Sequence, residues 1–109
     1  MILAAGEPIE KSSPDKDRAL FDYALLSRPL SIRNRRNGDR YYPSGLGGSK
    51  KVKDYFIDCK IPRSERDRIP LLTTADDEIM WIIGYRQDER FQVSAHTKKI
   101  LVIEVRRER

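Results

Sequence analysis

At 109 residues, 39% of them apolar and 36% charged, the chain is sized for one domain with a modest core and a wet surface. A net charge of +5 and a pI near 9.5 make nucleic acid the leading partner class, with an anionic membrane surface second. The longest apolar runs, IMWII and ILVIEV, are too short to span a bilayer, and the single cysteine, Cys59, excludes an intrachain disulfide or a cysteine zinc site.

The opening MILAAG lacks a basic flank and a long apolar region, so no signal peptide is expected and a reducing cytoplasm is the expected compartment. Residues 7–17, EPIEKSSPDKD, mix proline, serine and charge and read as a linker. The apolar patch Ile2-Leu3-Ala4-Ala5 before it reads as the tail of an element of a longer parent protein. Leu20 to Leu26 suggests a strand, followed by a turn at Arg28-Pro29. Leu30-Ser31-Ile32-Arg33 alternates, which predicts Leu30 and Ile32 facing inward and Arg33 and Arg35 outward. Asn37-Gly38-Asp39 is a turn signal.

One main helix is predicted over about 49–59, capped by Ser49, with Val52, Tyr55, Phe56 and Cys59 on one face. A short helix is predicted over about 62–68, starting at Pro62 and stopping before Pro70. Leu71 to Thr74, Glu78 to Ile83, Phe91 to Ser94 and Lys99 to Val105 read as short strands separated by polar turns. The order indicates an α+β fold, a small mixed or antiparallel β-sheet structure with one main and one short helix.

The surplus charge is concentrated. From Arg33 to Arg68 there are 11 Lys or Arg against 5 Asp or Glu, net +6, so the remainder of the chain sums to −1. Lys50, Lys51 and Lys53 fall in the first turn of the predicted helix, the end already positive from the helix dipole. A bound phosphate would relieve that conflict, and Gly45, Gly47 and Gly48 would let backbone approach it. A solvated charged face and a plain tight turn are the ordinary readings of the same residues. The order Gly48-Ser49-Lys50 does not match GxxxxGK[ST], so this is no nucleotide-triphosphate loop.

Arg33, Arg35, Arg36 and Arg40 extend the patch with side chains suited to bidentate phosphate contacts. Asp39 and Asp54 are expected to orient these cations rather than to catalyse. Of Tyr41 and Tyr42, one is expected to pack inside. His96, the only histidine, reads as structural, Asp76-Asp77-Glu78 as a hairpin turn, and Trp81 as core. No nucleophile pair, paired carboxylates or metal ligand set emerges, so binding is favoured over catalysis. Charge alone leaves any RNA or DNA open, and even an acidic protein.

Three ordered segments carry a family resemblance: RNRRNGDR (RxRRxGDR), GLGGSKKVKD (GxGGxKKxKD) and IPRSERDRIPLL (IPxxxRDxIPLL), followed by EIMWIIGYRQDERF. Over about residues 19–105 they closely resemble the C-terminal domain of bacterial tRNA(Ile)-lysidine synthetase, which implies that residues 1–18 are a linker or the tail of an upstream domain and residues 19–109 the C-terminal tRNA-recognition domain. The resemblance implies a parent ligase that uses ATP, with Mg, to attach L-lysine to the wobble cytidine of tRNA(Ile). That chemistry belongs to an N-terminal domain with an SGGxDS-type loop, and no such loop occurs here, so neither catalytic residues nor a cofactor are expected in these residues. What carries over is tRNA docking at the acceptor stem, assigned to Arg33, Arg35, Arg36, Arg40, Lys50, Lys51 and Lys53, and secondarily to Arg63, Arg66 and Arg68. Gly38, Asp39, Gly45 and Gly48 would shape the turns. The implied partners are tRNA(Ile) and the enzyme's own catalytic domain, with no membrane. The alternative is a homodimerisation or interdomain packing module, with Ile2 and the strand Ile100 to Val105 as interface.

Overall fold

The computed structural model describes the backbone of residues 2–4 and residues 17–106. Among the described residues eight strands form three small antiparallel sheets, accompanied by two α-helices. The first sheet has the order β1-β8-β2, from Ile2–Ala4, Lys99–Glu104 and Arg18–Asp22. The second is β3-β6-β7, from Ser31–Arg33, Leu71–Thr73 and Ile79–Ile82. A two-stranded ribbon, β4 (Arg40–Tyr41) with β5 (Lys50–Lys51), leads directly into α1 (Val52–Asp58), and α2 is Arg63–Arg66.

The second sheet lies in the middle of the molecule because both its faces are apolar. All four residues of β7 are buried, which strict alternation would split as 79 and 81 against 80 and 82. A bulge changes that split. Leu72 pairs with Trp81 but Thr73 pairs with Ile79, so Met80 is the extra residue. Met80 and Trp81 then join Phe21, Ala19 and Leu72 in the core shared with the first sheet, while Ile79 and Ile82 join Tyr41, Val52, Tyr55 and Phe56 under α1. Trp81 is core, as its surroundings in sequence imply, and its indole N–H donates to the Tyr85 carbonyl at 2.9 Å.

The middle strand of the first sheet is two-sided in a simple way. Ile100 and Val102 bury with Leu20, while Leu101 and Ile103 pack on the main core. Ile2–Ala4 pair antiparallel with β8, and the remainder of the expected linker, residues 5–16, falls outside the described residues.

Several local expectations are corrected. The strand expected from Leu20 to Leu26 stops at Asp22, whose carboxylate accepts from Ala24 N at 3.1 Å and caps a 3-10 turn, Tyr23–Leu25. The strand expected at Phe91 to Ser94 is absent for the same reason: Asp88 caps a 3-10 turn, Glu89–Phe91, accepting from Arg90 N at 2.7 Å. Leu30 packs against the main core as expected, but from Ile32 onward the expected facing is inverted. Ile32 is 66% exposed, whereas the Arg33 side chain is only 13% exposed, because its guanidinium is held by the Asp39 and Asp77 carboxylates. Arg35 is likewise largely covered. The main helix begins at Val52, not at Ser49, since Lys50 and Lys51 pair with β4 instead; Ser49 caps nothing and accepts from Arg40. Lys53 alone of the three lysines therefore sits in the first helical turn. Val52, Tyr55 and Phe56 form the buried face as expected, but Cys59 lies past the helix end and is exposed. Pro62 is the cap of the short helix rather than its first residue.

Candidate nucleic-acid interface

The turn Asn37-Gly38 is closed by Asp39 N donating to the Arg36 carbonyl at 3.2 Å, with Gly38 at φ +88°, a conformation that favours glycine. Asp39 then ties the turn down from three directions. Its carboxylate is forked by Arg33, with Nη1 to Oδ2 at 2.9 Å and Nη2 to Oδ1 at 3.1 Å. The same Oδ2 accepts from Arg36 N at 2.8 Å, and the Asp39 carbonyl accepts from Val52 N, the first residue of α1, at 2.9 Å. Partial burial pushes the Asp39 carboxyl up, but the Arg33 fork and the Arg36 amide outweigh it and hold the carboxyl below its ordinary value. Hydrogen bonding to Asp39 raises Arg33 in turn, against the opposing effect of burial.

This lock brings the basic loop and the start of α1 together around a pocket of about 220 Å³, lined by Arg35, Arg36, Asn37, Gly38, Asp39, Lys51 and Lys53. Four of the cations singled out in the sequence therefore converge on one space. Lys51 and Lys53 are exposed and have no ion pair among the described residues. Arg35 reaches Asp67 at 3.2 Å and Arg36 reaches Asp77 at 3.0 Å, both aspartates being exposed. Such pairs are weak and exchangeable. The one tightly held arginine, Arg33, supports the site from behind and also donates from Nε to Asp77 Oδ1 at 2.9 Å.

The other basic residues lie elsewhere. Lys50 points to the opposite side of β5, ion-pairs with Asp58, and lines a separate pocket with Tyr55, Cys59 and Arg86. Arg40 is exposed on β4, its guanidinium on Ser49 Oγ at 3.1 Å. Arg66 bends back to the Ile61 carbonyl at 2.9 Å. Arg68 lines an open groove with Glu65, Ile69 and Tyr85, and Arg63 is exposed on α2. Gly45 and Gly47 have left-handed φ angles and shape the loop between β4 and β5; with Gly48 they line no part of the cationic pocket. Tyr41 is fully buried, while Tyr42 is partly exposed with the Arg90 guanidinium 4.4 Å above its ring.

Two of the pocket's supports escape a reading of the sequence. Asn37 lines the pocket, and Asp77 holds both Arg33 and Arg36 from the β6–β7 hairpin, 41 and more residues away in sequence. Nothing local marks Asp77, which sits in a triplet that turn chemistry alone explains. Among the described residues no group of His, Cys, Asp and Glu is arranged to hold a metal ion, and no helix is long and apolar enough to cross a membrane.

Fold and pocket together define a small α+β domain that gathers cations on one surface. The chain belongs to the TilS substrate C-terminal domain family, whose model matches residues 30–105. It is 48% identical over 88 residues to a tRNA(Ile)-lysidine synthase of Caldanaerobacter subterraneus subsp. tengcongensis, covering 81% of this chain and 19% of that protein. A tRNA(Ile)-lysidine synthase of Parabacteroides distasonis is 39% identical over 103 residues, 94% of this chain and 23% of that protein. The chain thus spans about a fifth of the length of the curated relatives it matches. A crystal structure of the TilS C-terminal domain superposes with a TM-score of 0.73 at 35% identity, over 94% of this chain and 81% of that one. The fold alone is shared with an N-terminal fragment of the phenylalanyl-tRNA synthetase β-subunit from Pyrococcus horikoshii, with a TM-score of 0.67 at 13% identity over 78% of this chain and 26% of that one.

Proposed function

We propose that this domain docks tRNA(Ile) for a tRNA(Ile)-lysidine synthase, seating backbone phosphates of the acceptor stem in the pocket of Arg35, Arg36, Lys51 and Lys53. The convergence of those four cations on one space carries the reading. Duplex RNA hides its base edges in a deep groove, so contacts go to phosphates and 2′-hydroxyls, which flexible ammonium groups and arginine forks suit. Arg33 acts from behind as a positioning residue, and Arg40, Lys50, Arg63, Arg66 and Arg68 add long-range attraction. In the parent enzyme a separate N-terminal domain performs the ligation of L-lysine to the wobble cytidine with ATP and Mg. The chain has no SGGxDS-type loop for it. The setting is cytoplasmic, and tethering to the catalytic domain raises the effective concentration of a weak electrostatic module.

The test is fluorescence anisotropy of the domain with labelled tRNA(Ile) over a range of salt concentrations, beside the triple variant R36A/K51A/K53A. Binding should weaken steeply with salt, and the triple variant should lose about 2–3 from the slope of log K against log salt, roughly one per phosphate contact. A folded domain that fails to bind at low salt would move the weight to the rival role, self-association or packing on the catalytic domain. Size-exclusion chromatography of the same sample reads that directly.

A further inference from the structure

We propose that Asp77 is a specificity-determining residue of the cationic pocket: its carboxylate occupies Arg36 as a phosphate would, and yields it only to a densely charged polyphosphate backbone. The inference rests on the phosphate-docking reading above. Asp77 places one oxygen on each of two arginines, Oδ1 on Arg33 Nε at 2.9 Å and Oδ2 on Arg36 Nη1 at 3.0 Å. Two oxygens of one anion shared between two guanidinium groups is the arrangement a phosphate also makes.

The two arginines are not equivalent. Arg33 is 13% exposed in its side chain and is also forked on Asp39, so it stays in place. Arg36 is 65% exposed in its side chain, and Asp77 is the only hydrogen-bond partner of its guanidinium among the described residues. The exchangeable half of the bridge is therefore the half that borders the pocket.

The hairpin is built to deliver this carboxylate. Asp77 N donates to the Thr74 carbonyl at 3.0 Å, Thr74 N donates to the Glu78 carbonyl at 2.9 Å, and Thr74 Oγ1 accepts from Asp76 N at 3.2 Å. Asp77 adopts φ +62°, a conformation in which glycine or asparagine would serve the turn without a charge. The charge is thus not required by the turn. An exposed carboxylate–guanidinium pair is weak enough to be displaced by the densely spaced phosphates of duplex RNA, and strong enough to compete with sparser anions.

The experiment compares the intact chain with D77N and D76N by anisotropy, using labelled tRNA(Ile) and labelled polyglutamate at about 0.1 M salt. The asparagine introduced by D77N tolerates the left-handed backbone, and thermal melting checks that both variants are folded. Asp76 is the neighbouring exposed residue and has no ion pair among the described residues, so its variant carries the same change in net charge without the bridge. D77N should bind tRNA about three-fold more tightly and gain proportionally more for polyglutamate, while D76N changes either by less than about 1.5-fold. Equal effects of D77N and D76N, or weaker tRNA binding by D77N, would overturn the proposal and leave Asp77 a strut. If none of the three proteins binds tRNA, the docking reading falls, and this inference with it.

Discussion

Residues 33–53 and residues 63–68 are both rich in arginine and lysine, yet they end in opposite situations. The first segment folds back on itself through Asp39, so that side chains from the loop after β3 and from the β5–α1 junction face one pocket. The second sits on a four-residue helix whose arginines diverge: Arg66 to a backbone carbonyl, Arg68 to a groove beside Glu65, Arg63 to solvent. Charge density along a chain attracts polyanions, but a site needs cations held on one side by something rigid, and here that is Asp39, tied to Arg33 and Arg36 through its carboxylate and to Val52 through its carbonyl.

The comparison breaks most directly if both segments matter equally for binding. R36A/K51A/K53A should weaken tRNA(Ile) binding by about 10- to 100-fold at low salt, whereas R63A/R68A should cost only a few-fold and leave most of the slope intact, read by anisotropy titration. Comparable losses would mean that the pocket is not the centre of the interface.

The next largest effect is expected from the strut. D39N removes the charge and one of the two acceptor oxygens of the Arg33 fork while leaving Arg33 largely buried, which should destabilise the domain by about 1.5–3 kcal/mol in urea unfolding. Because the Asp39 carboxylate also accepts from Arg36 N, binding should fall in a variant whose net charge is more positive.

A subtler sharpening comes from acid. The Asp39 carboxyl is held below its ordinary value, so its contribution is complete above the unfolded carboxylate value of about 3.9 and is lost as pH falls through the lower folded value. Unfolding midpoints between about pH 2 and 6 should fall less steeply in D39N than in the parent chain. Arg33, shifted upward, titrates too far above neutrality to contribute in this window.

The smallest effect is expected away from the pocket, in the core under α1. The Tyr41 hydroxyl is buried, with no hydrogen-bond partner among the described residues, and its ring packs edge-on against Tyr55 at 5.5 Å. Y41F keeps the ring and removes an unsatisfied group, so thermal unfolding should show a change within about 1 kcal/mol, neutral or stabilising.

Much of this molecule is legible in its residues. The apolar spacing of Val52, Tyr55 and Phe56 fixes the main helix face, and the short apolar runs mark β6, β7 and β8, because burial imposes those periods locally. The three ordered segments identify the family, and the basic residues of the pocket are all found by charge. Tertiary structure alone decided which cations meet. Alternation puts Arg33 outside and Ile32 inside, but a buried guanidinium facing two aspartates is satisfied, and the edge strand accepts the reversal. Helix capping rules start α1 at Ser49, but Lys50 and Lys51 find ladder partners in Arg40 and Tyr41. Asp77 joins the site across more than forty residues of sequence. Composition and period report what each segment buries. Which charges become neighbours depends on contacts between segments, and no local pattern encodes those.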